Sequence, residues 1–161
     1  VDFFGPTELV NMYNKPPNPL IPLLLFQVIG GNPSTHAALY QQSSPLDFVT
    51  AQRPPTIILH GGIDIVVAPS QSLLLKNQLT SMGVVNEYVF YPTENHGWTG
   101  ANLADSFEKI QTFINANAYD EKTIIAQTGI HVVFLLSAIA IAYSDRIMSG
   151  TSTHREVQES H

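Results

Sequence analysis

The chain has 161 residues, 44% of them hydrophobic and 12% charged, with a mean hydropathy of +0.07. That is enough chain to bury a core, and it disfavours a long disordered, collagen-like or many-span membrane protein. A net charge of -6 argues against a nucleic-acid partner, and the absence of cysteine excludes disulfides, thiolate zinc sites and a cysteine nucleophile. Val1 opens the sequence with neither an initiator Met nor a basic leader, which suggests a chain that begins inside something larger.

Residues 7–13 read as a short helix, broken by Pro16-Pro17-Asn18-Pro19. Residues 20–29 form an apolar stretch too short to span a bilayer, with Pro22 placed for a helix N-terminus. Residues 34–42 suit a further helix. This irregular part, up to residue 55, fits either the wall or lid of a cleft or a plain connecting layer. Residues 56–60 are a β-branched apolar run entered through Pro54-Pro55 and left through Gly61-Gly62, the pattern of a buried parallel strand. Pro69 and Ser70 open a helix in which Leu75, Leu79 and Met82 share a face, and Gly83 stops it. Residues 87–91 read as a second strand, ended by Pro92. Asp105 is placed to cap a last helix in which Leu103, Phe107, Ile110 and Ile114 recur at helical spacing. Strand, helix, strand, helix with short links implies parallel strands.

After that point the character changes. Residues 123–144 carry no formal charge between Asp120-Glu121-Lys122 and Asp145-Arg146. At 1.5 Å per residue the run is long enough to cross a hydrocarbon core of about 30 Å. Gln127, Thr128, Gly129, His131 and Ser137 make it less apolar than a solitary anchor, so a buried amphipathic helix is the competing reading. Residues 148–161 are polar and without apolar periodicity, as in a disordered tail. The expected organisation is therefore residues 1–118, then a candidate transmembrane helix over 119–147, then the tail.

Ligands of an open parallel sheet meet the loops at the carboxyl ends of its strands. Two such loops carry ionisable groups: His60-Gly61-Gly62-Ile63-Asp64 and Thr93-Glu94-Asn95-His96-Gly97-Trp98. Asp64 and His96 leave successive strands on one edge, where an aspartate could fix an imidazole tautomer and leave the other ring nitrogen as a general base. Gly61, Gly62 and Gly97 would permit the tight turns that bring the loops together. The plainer reading is a turn aspartate and a packed surface histidine. Glu94 with Asp64 and His96 has no spacing that demands a metal, and no cofactor is expected.

Asp2-Phe3-Phe4-Gly5-Pro6-Thr7-Glu8-Leu9, Ser44-Pro45-Leu46, Pro54-Pro55-Thr56-Ile57-Ile58-Leu59-His60-Gly61-Gly62-Ile63-Asp64, Tyr91-Pro92 and Asn95-His96-Gly97-Trp98 occur in that order. Together they resemble the carboxyl-terminal half of an α/β-hydrolase, in the esterase/lipase branch similar to acyl-aminoacyl peptidases and feruloyl-esterase-like enzymes. The resemblance covers about residues 1–118. It implies an α/β fold, a partial doubly wound parallel sheet made of the last strands of the hydrolase fold, followed here by the long apolar helix. It also implies a triad acid at Asp64 and base at His96, in the chain order Ser, Asp, His.

The sequence departs from that family in one large respect. No Gly-x-Ser-x-Gly exists among the 161 residues, and the oxyanion-hole loop, which family members carry upstream, is missing too. His60-Gly61-Gly62 imitates that loop's signature but precedes the acid. Ser44, Ser70 and Ser72 sit on no nucleophile elbow and suit caps or turns. The expected function is hydrolysis of carboxylic esters, or of peptides, with the missing half or another chain completing the sheet and supplying the nucleophile. The alternative is a non-enzymatic, membrane-tethered scaffold or binding module. A second resemblance concerns Ile130-His131-Val132-Val133-Phe134-Leu135-Leu136-Ser137-Ala138 with Asp145-Arg146. It is similar to the final transmembrane helix of a family of small, functionally uncharacterised bacterial inner-membrane proteins, covers about 40 residues and implies a membrane partner through 123–144.

Overall fold

The computed structural model describes residues 1–118. Its centre is β2 (Thr56–Gly61), flanked in parallel by β1 (Asp2–Phe3) and β3 (Asn86–Tyr91) in the order β1-β2-β3. In register, Asp2 and Phe3 lie opposite Ile58 and Leu59, and Thr56 to Gly61 lie opposite Asn86 to Tyr91. Between β1 and β2 come α1 (Leu9–Asn14), α2 (Ile21–Ile29), α3 (Ala37–Gln42) and a 3₁₀ turn at Pro45–Phe48. Helix α4 (Ser70–Ser81) joins β2 to β3, and α5 (Gly100–Asn117) follows β3.

Both faces of β2 are covered, which is why it reads as an unbroken apolar run. Ile57 and Leu59 pack with Val89, Tyr91, Trp98 and Phe113 towards α5. Ile58 points the other way, to Leu79 and Val84 on the α4 side. Because strand residues alternate faces, His60 shares the α4 side with Ile58. The expected parallel, two-faced α/β arrangement is present. Among the described residues no helix is long and apolar enough to cross a membrane. The candidate transmembrane helix and the polar tail lie outside the described residues.

The terminators behave as the composition implies. Gly83 stops α4 at φ +72°, a left-handed conformation that glycine adopts without penalty. Pro22 lies in the first turn of α2, and Glu8 caps α1 by accepting the backbone N–H groups of Val10 and Asn11. Helices α1 to α3 pack on one another through Leu9, Met12, Ile21, Leu25 and Tyr40, and the same cluster takes in Val67. The irregular segment is thus a layer that backs the loop carrying Asp64.

Three helix expectations fail. Helix α5 starts at Gly100 behind an extended Thr99, not behind Asp105, whose carboxylate binds Lys109 and Tyr91 from inside the helix. Its inward face is also different: Ser106 and Phe113 are buried, with Leu103 and Ile110 beside them, while Phe107 and Ile114 are 58% and 49% exposed. Ser106 decides this rotation, as the site below explains. On α4, Leu79 is buried and Leu75 partly so, but Met82 lies past the last helical turn and is exposed.

At the end of β1, Asp2 is buried; its Oδ1 accepts the Gly5 N–H at 3.1 Å, and its Oδ2 has no partner among the described residues. Burial pushes its pKa up, against the opposing pull of the Gly5 N–H. A carboxyl whose folded pKa is raised contributes stability below its unfolded value, and that stability is lost as pH rises through the folded value. Asp2→Asn should therefore raise Tm at pH 7, with the gain vanishing as pH falls to about 4. Thermal unfolding followed at both pH values checks this.

Candidate functional site

Asp64 and His96 lie 32 positions apart on the two loops, and the structure brings them together. His96 Nδ1 lies 2.9 Å from Asp64 Oδ2. Asp64 is buried, while the His96 side chain is 28% exposed. The second carboxylate oxygen, Oδ1, accepts the backbone N–H groups of Val66 at 2.7 Å and Val67 at 2.9 Å. That is an Asx-type turn, and it holds the carboxylate plane rigid. Burial alone would raise the pKa of Asp64. The side-chain hydrogen bonds of His60 and His96 and the two backbone N–H groups outweigh it and hold the carboxyl well below the usual range. An ionised Asp64 accepts only, so His96 Nδ1 carries the proton. His96 Nε2 then keeps its lone pair, and it has no hydrogen-bond partner among the described residues.

The glycines do more specific work than turn formation. A β-carbon on Gly61 would overlap the carbonyl oxygens of Glu94 and Asn95, and one on Gly62 would strike the carbonyl of Pro92. The acid loop and the histidine loop are packed backbone to backbone, with Gly62 N–H donating to Tyr91 at 2.7 Å and Ile63 N–H to Glu94 at 2.9 Å. Of Gly61, Gly62 and Gly97, Gly97 alone supplies a left-handed turn, at φ +100°. The Asn95 side chain adds two further ties, accepting from Ile65 N–H and from His96 N–H.

Below His96 lies an aromatic floor. Phe4 stacks obliquely on the imidazole, with ring centroids 4.4 Å apart, and both Phe3 and Phe4 contact Trp98. Phe4 adopts φ +43°, the left-handed region that a bulky residue enters only at a cost of about 1–2 kcal/mol. Its N–H donates to Leu59 at 2.8 Å, so the strained residue is bolted to the end of β2. Trp98 Nε1 donates to Ser106 Oγ at 2.8 Å; that hydroxyl also lies 2.9 Å from the Tyr91 hydroxyl and donates to the Asn102 carbonyl at 2.7 Å. This fully buried network turns the Ser106 face of α5 towards the sheet. Ser106→Ala would leave the Trp98 N–H unsatisfied and should cost about 2 kcal/mol in urea unfolding.

His60, whose sequence only imitates an oxyanion-hole signature, packs into the same cluster. It is fully buried, with Nδ1 at 2.6 Å from Ser72 Oγ, Nε2 at 2.9 Å from the Val67 carbonyl, and Nε2 at 3.3 Å from Asp64 Oδ2. The other hydroxyls considered are occupied or remote from a strand-to-helix elbow. Ser44 Oγ donates to the Tyr40 carbonyl and accepts Leu9 N–H, and Ser70 is the first residue of α4. Among the described residues no group of three or more His, Asp or Glu side chains is arranged to hold a metal ion.

Comparison with known proteins agrees with the fold that carries these loops. A family model described as BD-FAE matches residues 1–79. A puromycin-hydrolyzing peptidase of Mycobacterium tuberculosis is 26% identical, with a TM-score of 0.61 over 73% of this chain and 18% of its own. A truncated carbohydrate esterase from gut microbiota is 23% identical, with a TM-score of 0.57 over 70% of this chain and 41% of its own. A UPF0114 protein of Haemophilus influenzae is 33% identical over 107 residues, which is 66% of this chain. The match takes in 57% of that relative's length, so the chain spans little more than half of it. Its length exceeds everything after Ala118, so it reaches into the described residues and is wider than the expected tail. The parallel sheet, the BD-FAE match and the hydrolase neighbours make the described residues an α/β-hydrolase-like region.

Proposed function

We propose that Asp64 and His96 are the acid and base of a serine-hydrolase site that cleaves carboxylic esters or peptide bonds. The observation that carries this reading is the 2.9 Å contact between a buried carboxylate and a partly exposed imidazole whose Nε2 is free to face a hydroxyl. In that mechanism a serine attacks the acyl carbonyl, His96 takes its proton and returns it to the leaving group, and Asp64 stabilises the imidazolium. In this reading a longer polypeptide or a partner chain supplies the nucleophile and the oxyanion donors. The match to a BD-FAE model and the likeness to a puromycin-hydrolyzing peptidase support acyl transfer as the reaction class. The membrane-tethered scaffold is the competing reading.

The test uses a fluorophosphonate probe and a short-chain aryl ester on this chain and on the polypeptide obtained by reading its gene upstream of Val1. Labelling and hydrolysis by the longer protein, both lost on His96→Ala, are expected. Probe silence in both forms, or activity indifferent to His96→Ala, overturns the assignment.

A further inference from the structure

The mechanism above uses one histidine, yet two imidazoles converge on the same oxygen of Asp64. His60 Nε2 approaches Asp64 Oδ2 at 3.3 Å and His96 Nδ1 approaches it at 2.9 Å. The protonation state of His60 follows from its partners. The Val67 carbonyl, 2.9 Å from Nε2, can only accept, so Nε2 carries a proton. Ser72 Oγ, 2.6 Å from Nδ1, has no other partner among the described residues, and a fully buried hydroxyl donates where it can. Nδ1 is therefore the acceptor, and the ring is neutral with its single proton on Nε2. A second charge in this fully buried place would carry a large desolvation penalty. The groups facing the ring are Ser72 from α4, the Val67 carbonyl and Asp64 from the acid loop, and Asp2 from β1.

We propose that His60 is a positioning residue for Asp64: Ser72 locks it as the Nε2–H tautomer, and that proton, shared between the Val67 carbonyl and Asp64 Oδ2, fixes the carboxylate facing His96. The acid is then clamped from two sides, by the Val66 and Val67 N–H groups on Oδ1 and by His60 on Oδ2. The parity of β2 makes this possible, since His60 shares the α4 face with Ile58 and so meets Ser72 in the first turn of α4. The inference deepens the acid–base reading and rests on it, but its readouts do not involve hydrolysis.

The test is nitrogen-resolved NMR of the histidine side chains in the full chain at pH 8. His60 should show a protonated Nε2 and an unprotonated Nδ1. A His60 protonated on Nδ1 overturns the proposal. Ser72→Ala frees the ring and should speed solvent exchange of the His96 Nδ1 proton about tenfold, the equivalent of one lost buried hydrogen bond. His60→Leu should do at least as much, and His60→Gln, which keeps an N–H donor, should recover part of the protection. Folded Ser72→Ala and His60→Leu proteins in which that proton exchanges at the wild-type rate would make His60 a packing residue only. An enzyme without esterase activity but with these exchange effects would sink the hydrolase reading and leave the His60 clamp standing.

Discussion

Gly61→Ala is expected to destabilise the protein by about 3 kcal/mol, a fall in Tm on the order of 10 °C, although it adds a single methyl group. The new β-carbon would fall on the carbonyl oxygens of Glu94 and Asn95, which are backbone atoms and cannot rotate aside. One of the two loops must retreat. Retreat breaks the hydrogen bond from Ile63 N–H to Glu94 and the pairing of Gly61 with Tyr91 at the end of the sheet. It also moves His96 away from Asp64, so the loss of stability and the loss of the acid–base contact should appear together. Gly83→Ala is the control. Nothing lies within 4 Å of its added β-carbon, and only the left-handed φ of +72° opposes it, so about 1 kcal/mol is expected. Urea unfolding of the two variants distinguishes a glycine required by close approach from one required by its dihedral angle.

The elements legible in the sequence are those with hard punctuation. Pro54-Pro55 and Gly61-Gly62 bound β2, Pro69 and Gly83 bound α4, and Pro92 ends β3. Strand β1 has no such signature. Two residues become a strand only because Asp2 and Phe3 find Ile58 and Leu59 beside them, a long-range pairing that local pattern does not encode. The face of α5 was misread for a related reason. Apolar spacing favours Phe107 and Ile114, but a serine that satisfies Trp98 outranks both. A buried polar network carries no hydropathy signal.

The site shows the same division. Asp64 and His96 could be named because strand ends are where ligands bind and because the ordered motifs resemble a known family. His60 was set aside as a mimic of another loop, although one signal was available: it falls two residues after Ile58 on a strand buried on both faces, where an imidazole must find partners. Phe4 had no signal at all, since a phenylalanine is the last residue expected at positive φ. Its strain is held by the Leu59 carbonyl and by the rings of Phe3 and Trp98, and it keeps an aromatic face against His96.

Under the proposed function, Asp64→Asn should have the largest effect on chemistry, a loss of about 10⁴-fold in ester hydrolysis by a polypeptide that carries the nucleophile. Asp64 is met by donors on every side: Val66 N–H and Val67 N–H on Oδ1, and His60 and His96 on Oδ2. Asparagine offers one acceptor oxygen and one amide nitrogen that can only donate. If the oxygen stays with the backbone N–H groups, the nitrogen confronts two imidazole N–H groups. His96 then escapes the clash by moving its proton to Nε2, the tautomer that cannot act as base. The same crowding should cost about 3 kcal/mol of stability at neutral pH. The pH dependence carries the opposite sign to that of Asp2. The folded pKa of Asp64 is depressed, so its contribution is present above the unfolded value of about 4 and is lost as pH falls towards the folded one. Wild-type Tm should therefore decline below about pH 4, and the Asp64→Asn protein should decline less steeply over the same interval. Equal acid sensitivity in the two proteins would show that the carboxylate is not held by these donors, and a wild-type rate in the variant would remove Asp64 from the mechanism.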